Sequence, residues 1–540
     1  MPSIPRLLLL PLAGGLLLGL AGCPRRETPA EAGIRTQTLL VGNGAEPADL
    51  DPQAMSAFTD SNIAYALFEA LTKLDARTSA PVPAAADRWD VSADGLVYTF
   101  HIRPGARWSN GDPLTAGDFA YAFRRILTPA FAASYSYTLW PIRNAQAFNA
   151  GRIADFSQVG VEAPDAATLR LTLERPTPYL PALAAHTTWL PVHRPTIERF
   201  GRMDEKGTRW TRPGNLVGNG PFTLAEWIPN GKVAVVRNPL YWNAARTRLN
   251  RIEFFPFEHP SVEELNYRSG QLHTTYALPN SKLAAYRAHR PADLRIDPTL
   301  SSFYLFINVT RPPFDNRKLR LALAHAVDRE AISRDVLGGA FPPARSLTPP
   351  GCGGYTARAQ VSDDFAEARR LLAEAGFPGG RGLPVVEVQC YADDVKLRAL
   401  EAIQSMWARQ LGVRITITEL EQKVLFQNQQ SLNYTIGFSG WIADIPDPVT
   451  FLGTFVTGNG NNWAGWSNRE YDRLIALAAA TADNGRRFEV FQRAEAILLE
   501  EAPFIPLYFQ PQVSAVHPAV RGWTTNLIGF HELEKVWLER

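Results

Sequence analysis

The chain of 540 residues is short of cysteine (3), of net charge and of long hydrophobic runs, and each shortage excludes a class of protein. Lysine and arginine (55) nearly balance aspartate and glutamate (53), and no basic block with interleaved aromatics occurs, which excludes nucleic-acid capture. The N-terminal apolar run, Leu7 to Leu20, falls short of the ~20 apolar residues that cross a bilayer, and no later apolar stretch reaches that length. The nine histidines are scattered without an H-E-x-x-H pair, which disfavours a zinc hydrolase. Gly437-Phe438-Ser439-Gly440 is followed by Trp441 where a nucleophile elbow needs glycine, so Ser439 reads as structural. The glycine-rich stretch Gly376 to Gly380 runs into Arg381 rather than Lys-Ser/Thr, so nothing specifies a phosphate loop. Internal repeats and low-complexity tracts are also lacking. This silence leans toward a binding protein with no cofactor motif, although convergent catalytic groups can lie far apart in sequence.

What is present begins at the N-terminus. Arg6, the apolar run and Leu20-Ala21-Gly22-Cys23 form a lipoprotein signal peptide over residues 1–22, with Cys23 as the first mature residue and the site of lipidation. Acyl chains of the palmitate type bury at ~0.8 kcal/mol per CH₂, so such a protein is soluble in its body and membrane-held at its tip. The same small residues also suit ordinary secretory cleavage, and both readings place the protein outside the cytoplasm, in the periplasm or on the cell surface. The remaining length predicts two to four domains. Cys352 and Cys390 are left either to bridge or to stand as two buried thiols.

Residues 23–38, polar and proline-containing, read as a flexible tether, with the fold starting near Leu39. Leu39–Val41, Tyr98–Ile102, Leu169–Leu173, Val233–Val236 and Ile252–Phe255 read as strands between turn residues. Asp118–Ile126, Asn316–Val336, Phe365–Ala375 and Ala399–Leu411 carry helical periodicity. Gly412 and the run Val413 to Ile417 close a β-α-β element, which predicts an α/β body with parallel strands.

Ordered blocks then carry a resemblance across nearly the whole mature chain. They include Leu50-Asp51-Pro52, Leu67-Phe68-Glu69, Tyr98 to Arg103 with Arg107 to Pro113 and Thr115 to Phe119, Asn219-Gly220-Pro221-Phe222, Tyr241-Trp242, Asp328-Arg329, and Gly440-Trp441 with Asp444 and Asp447-Pro448. The chain resembles the oligopeptide- and dipeptide-binding proteins that serve ABC importers. That resemblance implies a periplasmic-binding-protein-like α/β fold of two lobes joined by a hinge, with an inserted β-rich subdomain. It implies a discontinuous first lobe (39–71, 191–301 and 507–540), an insert at 72–190 and a second lobe at 302–506, the chain crossing between lobes near Ser301 and Pro506. The block from Trp108 to Asp118 reads as scaffold, with Thr115 capping a helix through Asp118. Asp328-Arg329 reads as structural too.

The site residues also follow from the resemblance. Asp444 matches the carboxylate that pairs with a peptide's α-ammonium; Gly440, Trp441 and Ile442 offer main chain to an added strand; Ser56, Ala57 and Phe58 supply a second strand of contacts; Tyr135 and Trp441 are walls. Asp444 as a solvated or helix-capping side chain is the alternative. The basic residues that hold a peptide carboxylate in relatives match Phe438 and Leu337, neither of them basic. A tryptophan wall matches Gln422, and a cysteine pair of some relatives falls near Ser301 and Ile442. The expected partners are a peptide ligand, an ABC permease and the membrane, with the protein a monomer. A receptor for a nickel chelate, haem or oligosaccharide, and an extracytoplasmic hydrolase, are the other readings.

Overall fold

The computed structural model describes residues 26–55 and 57–540. Cys23 and Ser56 therefore lie outside the described residues. Among the described residues, no helix is long and apolar enough to cross a membrane.

Three larger sheets organise the molecule. In the first, Thr38–Gly42 runs parallel to Arg251–Phe255, followed by Lys232–Arg237 and Phe222–Ile228 antiparallel. Period-2 alternation orients it: Ile252 and Phe254 face the core, while Arg251 and Glu253 pair on the outer face at 2.7 Å. The second, antiparallel sheet (Ala86–Val91, Val97–Ile102, Thr168–Thr172, Val161–Glu162) lies in the insert. Its inward Tyr98, Phe100 and Ile102 share one continuous core with Leu39 and Val41 of the first sheet. The insert thus folds onto the first lobe rather than around a core of its own. Helix Ala116–Leu127 is capped as expected, the Asp118 carboxylate accepting from the Thr115 N–H at 2.8 Å.

The third sheet has the order Ile415–Leu420, Val386–Tyr391, Ile436–Ile442, Ser301–Ile307, Phe504–Phe509. Helix Asp394–Leu411 joins the parallel strands 386–391 and 415–420 and ends at Gly412 in the left-handed conformation, which completes the β-α-β element expected there. Every residue of Ser301–Ile307 is buried, because both faces of this sheet are covered: Phe303, Leu305 and Ile307 enter one core, Tyr304 and Phe306 the other. Cys352 and Cys390 sit in these two separate cores as free thiols, so the possible bridge between them does not form.

Three expectations need correction. The tether is helical over Pro29–Thr36, because Thr28 and Glu31 form a reciprocal capping box and proline occupies the first turn. This helix packs on Thr38–Gly42, and the His273 ring bridges the Ala30 carbonyl (3.0 Å) and the Leu40 N–H (2.9 Å). The long helix expected over Asn316–Val336 breaks after His325, where Asp328 caps a new turn. Arg329, fully buried, ion-pairs with Asp363 and donates to the carbonyls of Ala324 (3.1 Å) and Pro506 (2.7 Å), consistent with a structural role. The strand holding Pro506 extends past the expected lobe boundary. That proline lies within an edge strand, at a register shift opposite Phe303 and Tyr304, where a missing N–H is tolerated. The strand continues to Phe509, and only Gln512–Ala515 pairs with Leu294–Asp297 in the first lobe. The hinge is thus two adjacent connections, tied where Thr299 Oγ1 donates to the Gln510 carbonyl at 2.6 Å.

Candidate ligand-binding cleft

The strand Ile436–Ile442 brings the sequence-identified site to the cleft. The Ala443 N–H donates to Leu300 (2.8 Å) and the Asn308 N–H to Thr435 (3.0 Å). Bonding alternates along an antiparallel pair, so Gly437, Ser439 and Trp441 bond toward Ser301–Ile307, while main-chain groups of Phe438, Gly440 and Ile442 point to the opposite edge. On that edge Val386–Tyr391 pairs only with Ile436 and Gly437, and the Gln429 side-chain amide donates to the Phe438 carbonyl at 3.3 Å. Among the described residues no strand pairs with Gly440 and Ile442 there, so an extended guest finds a free edge. Gly440 is required by packing: a Cβ would lie 2.6 Å from the Phe303 ring. Trp441 is partly buried, its Nε1 donating to Thr450 Oγ1 at 3.4 Å.

Two residues beyond this edge stands Asp444. Its carboxylate accepts from the Tyr137 hydroxyl of the insert at 3.1 Å, a contact spanning 307 positions in sequence and joining the second lobe to the insert. Burial pushes its pKa up to about 6, against the lowering effect of that hydroxyl. No lysine or arginine among the described residues pairs with it. It caps no helix, which removes the capping alternative, and it is partly buried. Tyr135 packs near it, ring centroids 5.6 Å from Tyr137 and 5.8 Å from His186. His186 is pushed down to about 4 by burial and is neutral.

The second expected strand is only partly extended. Ala57 has β geometry, but its carbonyl accepts from the Ser61 N–H (3.2 Å), and Phe58 is the first residue of helix Phe58–Leu67. Phe58 contributes its ring instead, stacked on Phe530 at 5.2 Å. The departures from relatives also find their places. Phe438 and Leu337 lie in the core of the second lobe, and Gln422 is exposed at a helix start. Ser301 and Ile442 are directly opposed cross-strand neighbours, where a cysteine pair of relatives would meet. Sequence reasoning missed Tyr137, Tyr65 and Phe530, which no local motif marks. Two adjoining cavities occupy the cleft, one of about 80 Å³ lined by Asp444 and His186 and one of about 210 Å³ lined by Ile442 and Phe58; Tyr65 and Phe530 line both.

Two α/β lobes, a paired-strand hinge and an open strand edge facing cavities between the lobes define a hinged solute-binding protein. The chain belongs to family 5 of the bacterial extracellular solute-binding proteins, whose family model matches residues 80–463, and this family consists of binding proteins rather than enzymes. It is 32% identical over 530 residues to the periplasmic oligopeptide-binding protein OppA of Salmonella typhimurium, covering 95% of each chain. It is 33% identical to the probable deoxycholate-binding periplasmic protein YgiS of Escherichia coli, covering 92% of each. The solved structure of the Escherichia coli murein tripeptide binding protein MppA superposes with a TM-score of 0.78 at 29% identity, over 93% of this chain and 98% of that one.

Proposed function

We propose that this protein is a lipid-anchored receptor that captures peptides between its lobes and delivers them to an ABC import permease. Asp444 takes the α-ammonium and the edge at Gly440 and Ile442 pairs with the peptide main chain, a mode that tolerates varied side chains. The observation that carries this reading is a carboxylate that no lysine or arginine among the described residues pairs with, facing a cavity at the end of a strand edge that no described strand pairs. A ligand ammonium supplies the missing charge, and hinge closure excludes water from the pair. A bile-acid carboxylate, by contrast, would set one anion against another at Asp444.

In this reading Phe438 and Leu337 leave the peptide's C-terminus without the basic anchors of relatives, so the N-terminus fixes register. Segments 39–71 and 191–301 with the chain after Pro511 form one lobe, 72–190 the insert and 302–509 the other lobe. The protein works as a monomer tethered through lipid on Cys23. Native mass spectrometry of protein purified without added ligand is expected to find a co-purified peptide. Calorimetry is expected to find binding of a free-amine tripeptide and its loss on N-acetylation; equal binding of the two refutes the role of Asp444.

A further inference from the structure

The two cavities of the cleft differ in charge. Glu69, Lys73 and Glu534 line the smaller one beside Asp444. Their charges are satisfied internally: Lys73 pairs with Glu534 (2.6 Å) and Glu532 (3.2 Å), and Glu69 accepts from Tyr241 (2.5 Å) and Trp242 (2.7 Å). Among the described residues, no aspartate, glutamate, lysine or arginine lines the larger cavity. Its walls are the rings of Phe58, Tyr65, Trp523 and Phe530 with Ile442, completed by uncharged amides and hydroxyls. His531, stacked on Trp523 at 3.8 Å, is held neutral by burial, its pKa pushed down to about 4.

Position links the two. Tyr65 and Phe530, rings 4.7 Å apart, stand between the cavities, and Ile442 lies two residues before Asp444 with its side chain 42% exposed. An extended ligand advances ~3.3 Å per residue, so one whose ammonium sits on Asp444 carries its first side chains past Ile442. The larger cavity, about 210 Å³, exceeds the ~150 Å³ apolar cavity known to admit benzene. Once the lobes close over it, a charged group there would be desolvated without a partner, whereas an apolar one gains from burial.

We propose that this larger cavity is a side-chain subsite selecting an uncharged aromatic or aliphatic group at one of the first two residues of the ligand. The assignment rests on the peptide reading above and adds its specificity. The test is calorimetry on the full-length mature protein with trialanine and with tripeptides carrying Phe, Lys or Glu at position 1 or 2. At one of these positions Phe is expected to bind about tenfold or more tighter than Ala, Lys or Glu. Phe530→Ala should cut the Phe-to-Ala affinity ratio severalfold. Equal affinities across the panel, or a preference for Lys or Glu, with acetylation still abolishing binding, overturn the subsite and leave the peptide reading intact. Failure of every free-amine peptide to bind overturns both.

Discussion

Two acidic side chains, Asp118 and Asp444, both sit in segments that resemble the family, in opposite surroundings. Burial raises the pKa of both. Asp118 accepts from the N–H (2.8 Å) and hydroxyl (2.9 Å) of Thr115, so its charge is absorbed by the helix it caps. Asp444 has one neutral partner, reached across the cleft. A carboxylate saturated by its own turn is scaffold; one desolvated and left short of positive charge is a candidate place for a ligand. How easily a segment is recognised therefore says little about its role, since the Trp108–Asp118 block is the longer signature and does structural work.

This contrast breaks most sharply at Asp444→Asn. Its expected effect is a loss of about 2–5 kcal/mol in affinity for free-amine peptides, with thermal stability at neutral pH kept or raised, since burial disfavours the ionised carboxyl. Titration calorimetry beside a melting curve checks both halves, and an affinity unchanged by the substitution would merge the two carboxylates into one structural class.

A pH series comes next in size. Because the carboxyl titrates near 6, affinity should weaken about tenfold, some 1.4 kcal/mol, as pH falls one unit below that value, with protons released on binding. Stability of the empty protein moves the other way. A pKa raised from 3.8 to about 6 favours folding below 3.8, and that advantage is lost as pH rises through about 6. Thermal melts between pH 4 and 7, read as the difference from Asp444→Asn, isolate this contribution from other carboxylates.

At the scaffold, Asp118→Ala should cost about 1 kcal/mol of stability with peptide affinity unchanged, measured by denaturant unfolding and calorimetry. Smallest is Tyr137→Phe, which removes one hydrogen bond from Asp444 and should weaken binding by about 0.5–1 kcal/mol. It should also move the pH midpoint of binding upward, since the hydroxyl is what holds the carboxyl down.

Much of the fold was legible in the chain because strands, helices and caps are written in neighbouring residues. Leu39–Val41, Tyr98–Ile102 and the β-α-β element ending at Gly412 obey periodicities of a few positions, and Thr115 with Asp118 spells its own cap. The same local grammar hid the Pro29–Thr36 helix, whose Thr28–Glu31 box was outweighed by polar composition. Asp444 was legible as a residue, through its place after Gly440 and Trp441. Its expected pairing with a ligand ammonium came with the family resemblance, whereas its contact with Tyr137 did not.

The sequence by itself determined the mixed α/β elements, the family and the acidic residue at the end of the site strand. Only tertiary structure decided that Tyr137, 307 positions away, meets that residue, that Gly440 and Ile442 face an edge no described strand pairs, that Phe530 returns from the C-terminal stretch to wall the cleft, and that the strand holding Pro506 runs on to Phe509. The physical reason is one of range. Backbone propensity and capping act over a turn or two, whereas charge compensation, edge pairing and cavity shape depend on which distant surfaces pack together.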